Sequence, residues 1–94
     1  MHVKWLRGAL RNLHQAVDYI ARDNPVAASH VAEALWDASV RLGQHPHMGR
    51  PGRLKGTREL IVPRLPYVIR YRIKADAVEV LRIHPMAQRW PEEN

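Results

Sequence analysis

The side chains best suited to chemistry in this sequence are arginines. Residues 50 to 89 contain ten Lys/Arg (Arg50, Arg53, Lys55, Arg58, Arg64, Arg70, Arg72, Lys74, Arg82 and Arg89) against Glu59, Asp76 and Glu79, a local charge of +7 in a 94-residue chain whose formal total is +6. Residues 1 to 49 come to +1, and Glu92 with Glu93 subtract two. Eight of the ten are arginine, whose planar fork of donors suits bidentate contact with carboxylate or phosphate better than lysine does. That half of the chain therefore fits an anionic partner, either an acidic protein segment or a nucleic acid.

Other chemistry is thinly represented. The sequence has no phosphate loop, no GxSxG, no HExxH and no cysteine, which excludes a thiolate nucleophile, disulfides and cysteine-based zinc, and fits a reducing compartment. Ser29 and Ser39 fall within a predicted helix, a poor setting for a nucleophile. His45 and His47 flank Pro46 without the matched second pair that a metal site needs, so they read as loop histidines, and no metal or cofactor is expected. His84 titrates near neutrality and could act as general acid or base, but with no identified partner it reads as structural. Trp5, Trp36 and Trp90 are scattered along the chain, which suits core or rim packing better than base stacking. No apolar run reaches the roughly 18 residues that span a bilayer, and MHVKWLRGAL lacks the features of a secretory signal, so a cytoplasmic protein without a membrane segment is expected.

The elements that must position the arginines follow from periodicity. A chain of this length makes one domain with one core. Residues 2–6, led by Val3 and Trp5, suit a short strand. From 9 to 22, Leu10, Leu13, Val17 and Ile20 recur at helical steps and define an apolar stripe. Asn24 is a good N-cap and Pro25 a good first helical residue, so a second helix runs from 25 to about 42, with Val31, Leu35, Ala38 and Leu42 as its stripe and Gly43 as its stop. Residues 43–57, with four glycines and two prolines, read as a long connecting loop of the kind that often carries function.

Three strand-like runs follow, 58–62, 67–73 and 77–83, with links short enough to favour antiparallel neighbours. Tyr67, Ile69, Tyr71 and Ile73 alternate with Val68, Arg70 and Arg72, and Leu81 and Ile83 alternate with Arg82 and His84. One face is apolar and must meet the helical hairpin; the other is rich in arginine. Like charges clustered on one sheet repel, so this face reads as a docking platform. The expected fold is α+β: an N-terminal strand, a helical hairpin, then a three-stranded antiparallel sheet packed on the hairpin, all in one domain over residues 1–94.

Four stretches, AVDYIARDNPVAASHVAEAL, LGQHPHMGRPGRLKGTRELIV, PYVIRYRI and VEVLRIHPMAQRWP, together resemble the RelE/ParE superfamily of toxins from bacterial type II toxin-antitoxin modules. The most specific piece is P-x-MGRPGR-x-x-GTREL at 46–60, followed by the PYVI-x-Y run and AQRWP. The resemblance implies a strand, a helical hairpin and a three- or four-stranded antiparallel sheet, and a growth-inhibiting toxin neutralised by a cognate acidic antitoxin in a hetero-oligomer. An extended antitoxin segment would fold over the basic surface as it binds, with Arg50, Arg53, Lys55, Arg58, Arg70, Arg72 and Arg82 as candidate antitoxin or target contacts.

Two targets follow from the resemblance. RelE-like members cut messenger RNA in the ribosome and ParE-like members block DNA gyrase, and a shared fold does not choose between them. Cleavage needs basic groups that stabilise the phosphate transition state and assist proton transfer. The positions where RelE-like enzymes carry lysine fall on Glu59 and Ile61, their arginine falls on Val68, and Pro85 takes the usual histidine place, with His84 shifted by one. A non-hydrolytic gyrase poison is therefore favoured. The alternative is an mRNA endonuclease using Arg58, Arg70, Arg72, Arg82 and His84; a second alternative is an inactive toxin-like module that only binds its antitoxin.

Overall fold

The computed structural model describes residues 1–86, so Arg89 and Trp90, named above, lie outside the described residues. Strand β1 (His2–Trp5) leads into helix α1 (Arg7–Ala21) and helix α2 (Pro25–Gln44). The short β2 (Arg50–Pro51) is followed by β3 (Arg58–Ile61), β4 (Tyr67–Lys74) and β5 (Ala77–Pro85). The strands form one mixed sheet in the order β1-β5-β4-β3-β2, in which β1 pairs parallel to β5 and all other pairs are antiparallel. The α+β class is as expected. The three-stranded antiparallel sheet is extended at one edge by β1 and at the other by β2.

The hairpin covers one face of the sheet. Leu35, Ala38 and Leu42 of α2 and Ala9 of α1 are buried with Ile69, Tyr71, Val78, Val80 and Ile83 in a single core. Burying each of the larger aliphatic side chains is worth about 1.5–3 kcal/mol, and this stripe-on-sheet contact accounts for the layer order. Asn24 caps α2 as its type predicts, accepting from the Ala27 N–H at 3.1 Å, with Pro25 in the first turn. Asn12 of α1 accepts from the Ile83 N–H at 3.0 Å and ties the first helix to β5.

Three expectations are corrected. Leu10 is 41% exposed and Ala9 is fully buried in its place, on the helix that Asn12 ties to β5. Gly43 lies inside α2, which ends at Gln44; a Cβ there would meet the Met1 carbonyl and Val3 at 2.8 Å, so the glycine serves the crossing of β1 over the helix end. Leu81 does not share the apolar face with Ile83. The register shifts at Arg70/Tyr71, Arg70 pairing with Arg82 and Tyr71 with Val80, so Leu81 is the extra residue of a β-bulge.

Ala75 and Asp76 close the β4–β5 hairpin, and Ala75 has a φ of 55°, a region disfavoured for a side chain with Cβ. Ala75→Gly is expected to raise the free energy of unfolding by about 0.5–1 kcal/mol, the steric relief exceeding the extra chain entropy of glycine; urea denaturation measures it.

Candidate anion-binding face

Cross-strand partners point to the same side of a sheet, so the register assigns the face opposite the helices. Arg50, Glu59, Arg70 and Arg82 form one row across β2, β3, β4 and β5. Ile61, Val68 and His84 form the row on one side. Lys4, Arg72 and Glu79 form the row on the other. Arg70, Arg72, Arg82 and His84 are thus brought together as the alternation predicted.

Arg58 is not with them. It pairs with Tyr71 on the helix side of the sheet, and its guanidinium donates to the Gly49 carbonyl (Nη2 2.6 Å, Nε 3.0 Å) and to the His47 carbonyl (3.1 Å). Tyr71 completes this attachment from a fully buried position: its hydroxyl donates to the Pro46 carbonyl at 2.7 Å and accepts from the Gly49 N–H at 3.0 Å. The predicted contact residue therefore holds the loop. Its Nε and Nη2 donate to backbone carbonyls of the loop, on the side of the sheet away from Arg70 and Arg82.

Glu59, one of two polar residues among the buried set, is the centre of the arrangement. Its carboxylate accepts from Arg50 Nη2 at 3.4 Å and from the Arg53 N–H at 3.3 Å, and Arg70 is its cross-strand partner. The glycine-rich loop and the arginine face are accordingly one unit joined through a buried acid. Composition hid this role, since a lone acid in a basic run reads as a lost charge; its place between Arg50 and Arg70 becomes visible only with the register. Arg50 in β2 and Arg53 and Lys55 on the loop that follows are exposed beside it.

Arg72 and Glu79 form a second pair, Nε to Oε1 at 2.7 Å. The hydrogen bond from Arg72 holds the Glu79 carboxyl below its ordinary value of 4.5, aided by the charges of Arg72, Lys74 and Lys4 and opposed by desolvation. The folded state binds this proton less tightly than the unfolded chain, so the pair's contribution is complete above pH 4.5 and is lost as pH falls through the lowered value. The stability difference between the native chain and Arg72→Gln is therefore expected at neutral pH and should vanish in acid, as chemical denaturation over a pH series would record.

His45 and His47 are exposed on the loop. Among the described residues no group of three His, Cys, Asp or Glu is arranged to hold a metal ion. No helix among them is long and apolar enough to cross a membrane. Trp5 and Trp36 stack at the rim, centroids 6.1 Å apart, with the Trp5 indole donating to Ser39 Oγ at 3.2 Å, which is the packing role expected of them.

Residues 3–90 match the family model described as the ParE toxin of the type II toxin-antitoxin system parDE. The chain belongs to that family. It is 42% identical over 90 residues to a Sinorhizobium fredii protein named "Putative toxin Y4kP", covering 96% of this chain and 93% of that one. Its fold superimposes on a chain of the chromosomal ParDE toxin-antitoxin system from P. aeruginosa with a TM-score of 0.84 and 27% identity, covering 90% of this chain and 95% of that one.

Proposed function

We propose that this ParE-family toxin is a cytoplasmic, non-hydrolytic poison of DNA gyrase, kept inactive by an acidic segment of a cognate antitoxin laid over the arginine face. The observation that carries the reading is the composition of the two rows nearest His84. Positions 59, 61 and 68 hold Glu, Ile and Val, His84 is paired with Val68, and Glu59 is turned inward to bind the loop. Phosphodiester cleavage would need an acid and a base flanking a phosphate and cations at its oxygens. The described face offers cations without that flanking pair, which suits holding an anion and not cutting one. Arg72 and Arg82 present the charge, and Arg50 and Arg53 extend it along the loop.

Expression without the antitoxin should arrest growth and switch on a DNA-damage reporter, and co-expression with the product of the neighbouring reading frame should abolish both effects and yield a co-purifying complex. Arrest with a silent reporter and ribosome-dependent cuts in transcripts would replace gyrase by messenger RNA as the target. Harmless overexpression with intact complex formation would mark a module that only binds its antitoxin.

A further inference from the structure

We propose that a pocket beside the β5 bulge receives an acidic side chain carried next to a leucine-sized one on an extended peptide, a subsite for the antitoxin segment; this rests on the antitoxin reading above. The pocket is an open concavity of about 330 Å³ lined by Leu6, Gly8, Leu54, Arg70, Leu81 and Arg82. Three leucines and two arginines in one small concavity are matched by an aliphatic group and a carboxylate side by side. A phosphate backbone would leave the leucines without a counterpart.

Three independent features build this pocket. The bulge withdraws Leu81 from the core alternation and offers it to the pocket. Leu54 stays 39% exposed at the tip of a loop that Glu59, Arg58 and Tyr71 hold in place, so its position is fixed although its side chain is uncovered. Arg82 lies over Gly8: a Cβ built on Gly8 would overlap the Arg82 Nη1, so the guanidinium occupies space that the glycine leaves open.

The charge balance points to an anion as occupant. Arg70 and Arg82 stand directly opposite each other, an arrangement that costs free energy between like charges. Glu59 stands opposite Arg70 on its other side, whereas Arg82 takes part in neither of the ion pairs, Arg50–Glu59 and Arg72–Glu79, that lie beside it on this face. A second copy of this +6 chain would add to the repulsion; an acidic peptide relieves it.

The test uses the full-length chain labelled with ¹⁵N and the probe acetyl-Leu-Glu-Leu-amide. Saturable shifts of the Gly8, Leu81 and Arg82 amides are expected at roughly millimolar peptide, with about ten-fold weaker half-saturation for the Gln analogue, which lacks the charge. Arg82→Ala and Gly8→Ala should each weaken the Glu peptide by about ten-fold. Gly8→Ala is the sharper variant, because it displaces the guanidinium while keeping its charge and should leave the melting temperature unchanged or raised. Equal response to the Glu and Gln peptides, indifference to both substitutions, or inorganic phosphate saturating the same amides more tightly at matched ionic strength would each overturn the subsite. None of these outcomes depends on the co-purification experiment, whose failure would sink the antitoxin reading and leave the pocket's preference measured.

Discussion

Replacing Glu59 by Ala is expected to lower the free energy of unfolding by about 2–3 kcal/mol, read by urea denaturation at neutral pH. Removing one partner of a buried ion pair costs more than the pair itself is worth, because the remaining groups keep their desolvation penalty. The carboxylate is 3% exposed, while Arg50 is 61% exposed and can regain water, which holds the figure below the 3–5 kcal/mol or so of a fully enclosed pair. The Arg53 N–H loses its acceptor as well, and Arg70 loses the acid opposite it. Glu59→Gln, which keeps an acceptor for the amide but not the charge, should cost about half as much. A change under about 0.5 kcal/mol for Glu59→Ala would mean that the loop is held elsewhere.

Tyr71→Phe is the second large effect, a loss of about 2 kcal/mol with no change in apolar packing. The hydroxyl satisfies the buried Gly49 N–H and donates to the half-buried Pro46 carbonyl; phenylalanine leaves both without it. The Gly49 site has no space for a substitute side chain, since a Cβ there would come within 2.6 Å of the same hydroxyl. Hydrogen exchange should show faster opening of amides 46–49 in Tyr71→Phe while amides of α2 keep their protection. Glu59 and Tyr71 hold adjacent stretches of one loop, Glu59 at Arg50 and Arg53 and Tyr71 at Pro46 and Gly49. The double variant is therefore expected to depart from additivity, the first release having already removed part of what the second would cost.

Those two residues also mark what the sequence could convey. The helix stripes, the Asn24 cap and the alternation in β4 are local patterns, and local patterns are fixed by backbone periodicity, so they were legible. The loop's attachment was not. Arg58 looked like one more surface cation because its donors are claimed by carbonyls of His47 and Gly49, which no pattern in the sequence announces. Tyr71 looked like an ordinary core aromatic because its hydroxyl finds partners 22 and 25 residues away. The bulge at Leu81 turns on one residue of register, and alternation through a strand gives no sign of such a slip. The parallel pairing of β1 with β5 joins the two ends of the described chain, where four residues carry too little information to name a partner. Gly43 reads as a helix stop, yet it and Gly8 are places where another segment comes close. The resemblance to RelE/ParE toxins implies the same strand, hairpin and antiparallel sheet as periodicity does, and it marks Glu59 as a departure from the RelE-like lysine without showing its hold on the loop.

A basic surface on a ParE-family chain can serve as a grip or as a catalyst, and the function proposed above takes it as a grip. The cations are placed in register, one buried acid is spent on holding the loop, and His84 lies beside Val68 and Ile61.

The most direct measurement is a cleavage assay with purified protein, DNA gyrase, plasmid and ATP. Gyrase-linked broken DNA should accumulate with added protein and should not form when gyrase is omitted. Normal supercoiling at saturating protein, with no broken DNA, would contradict the account.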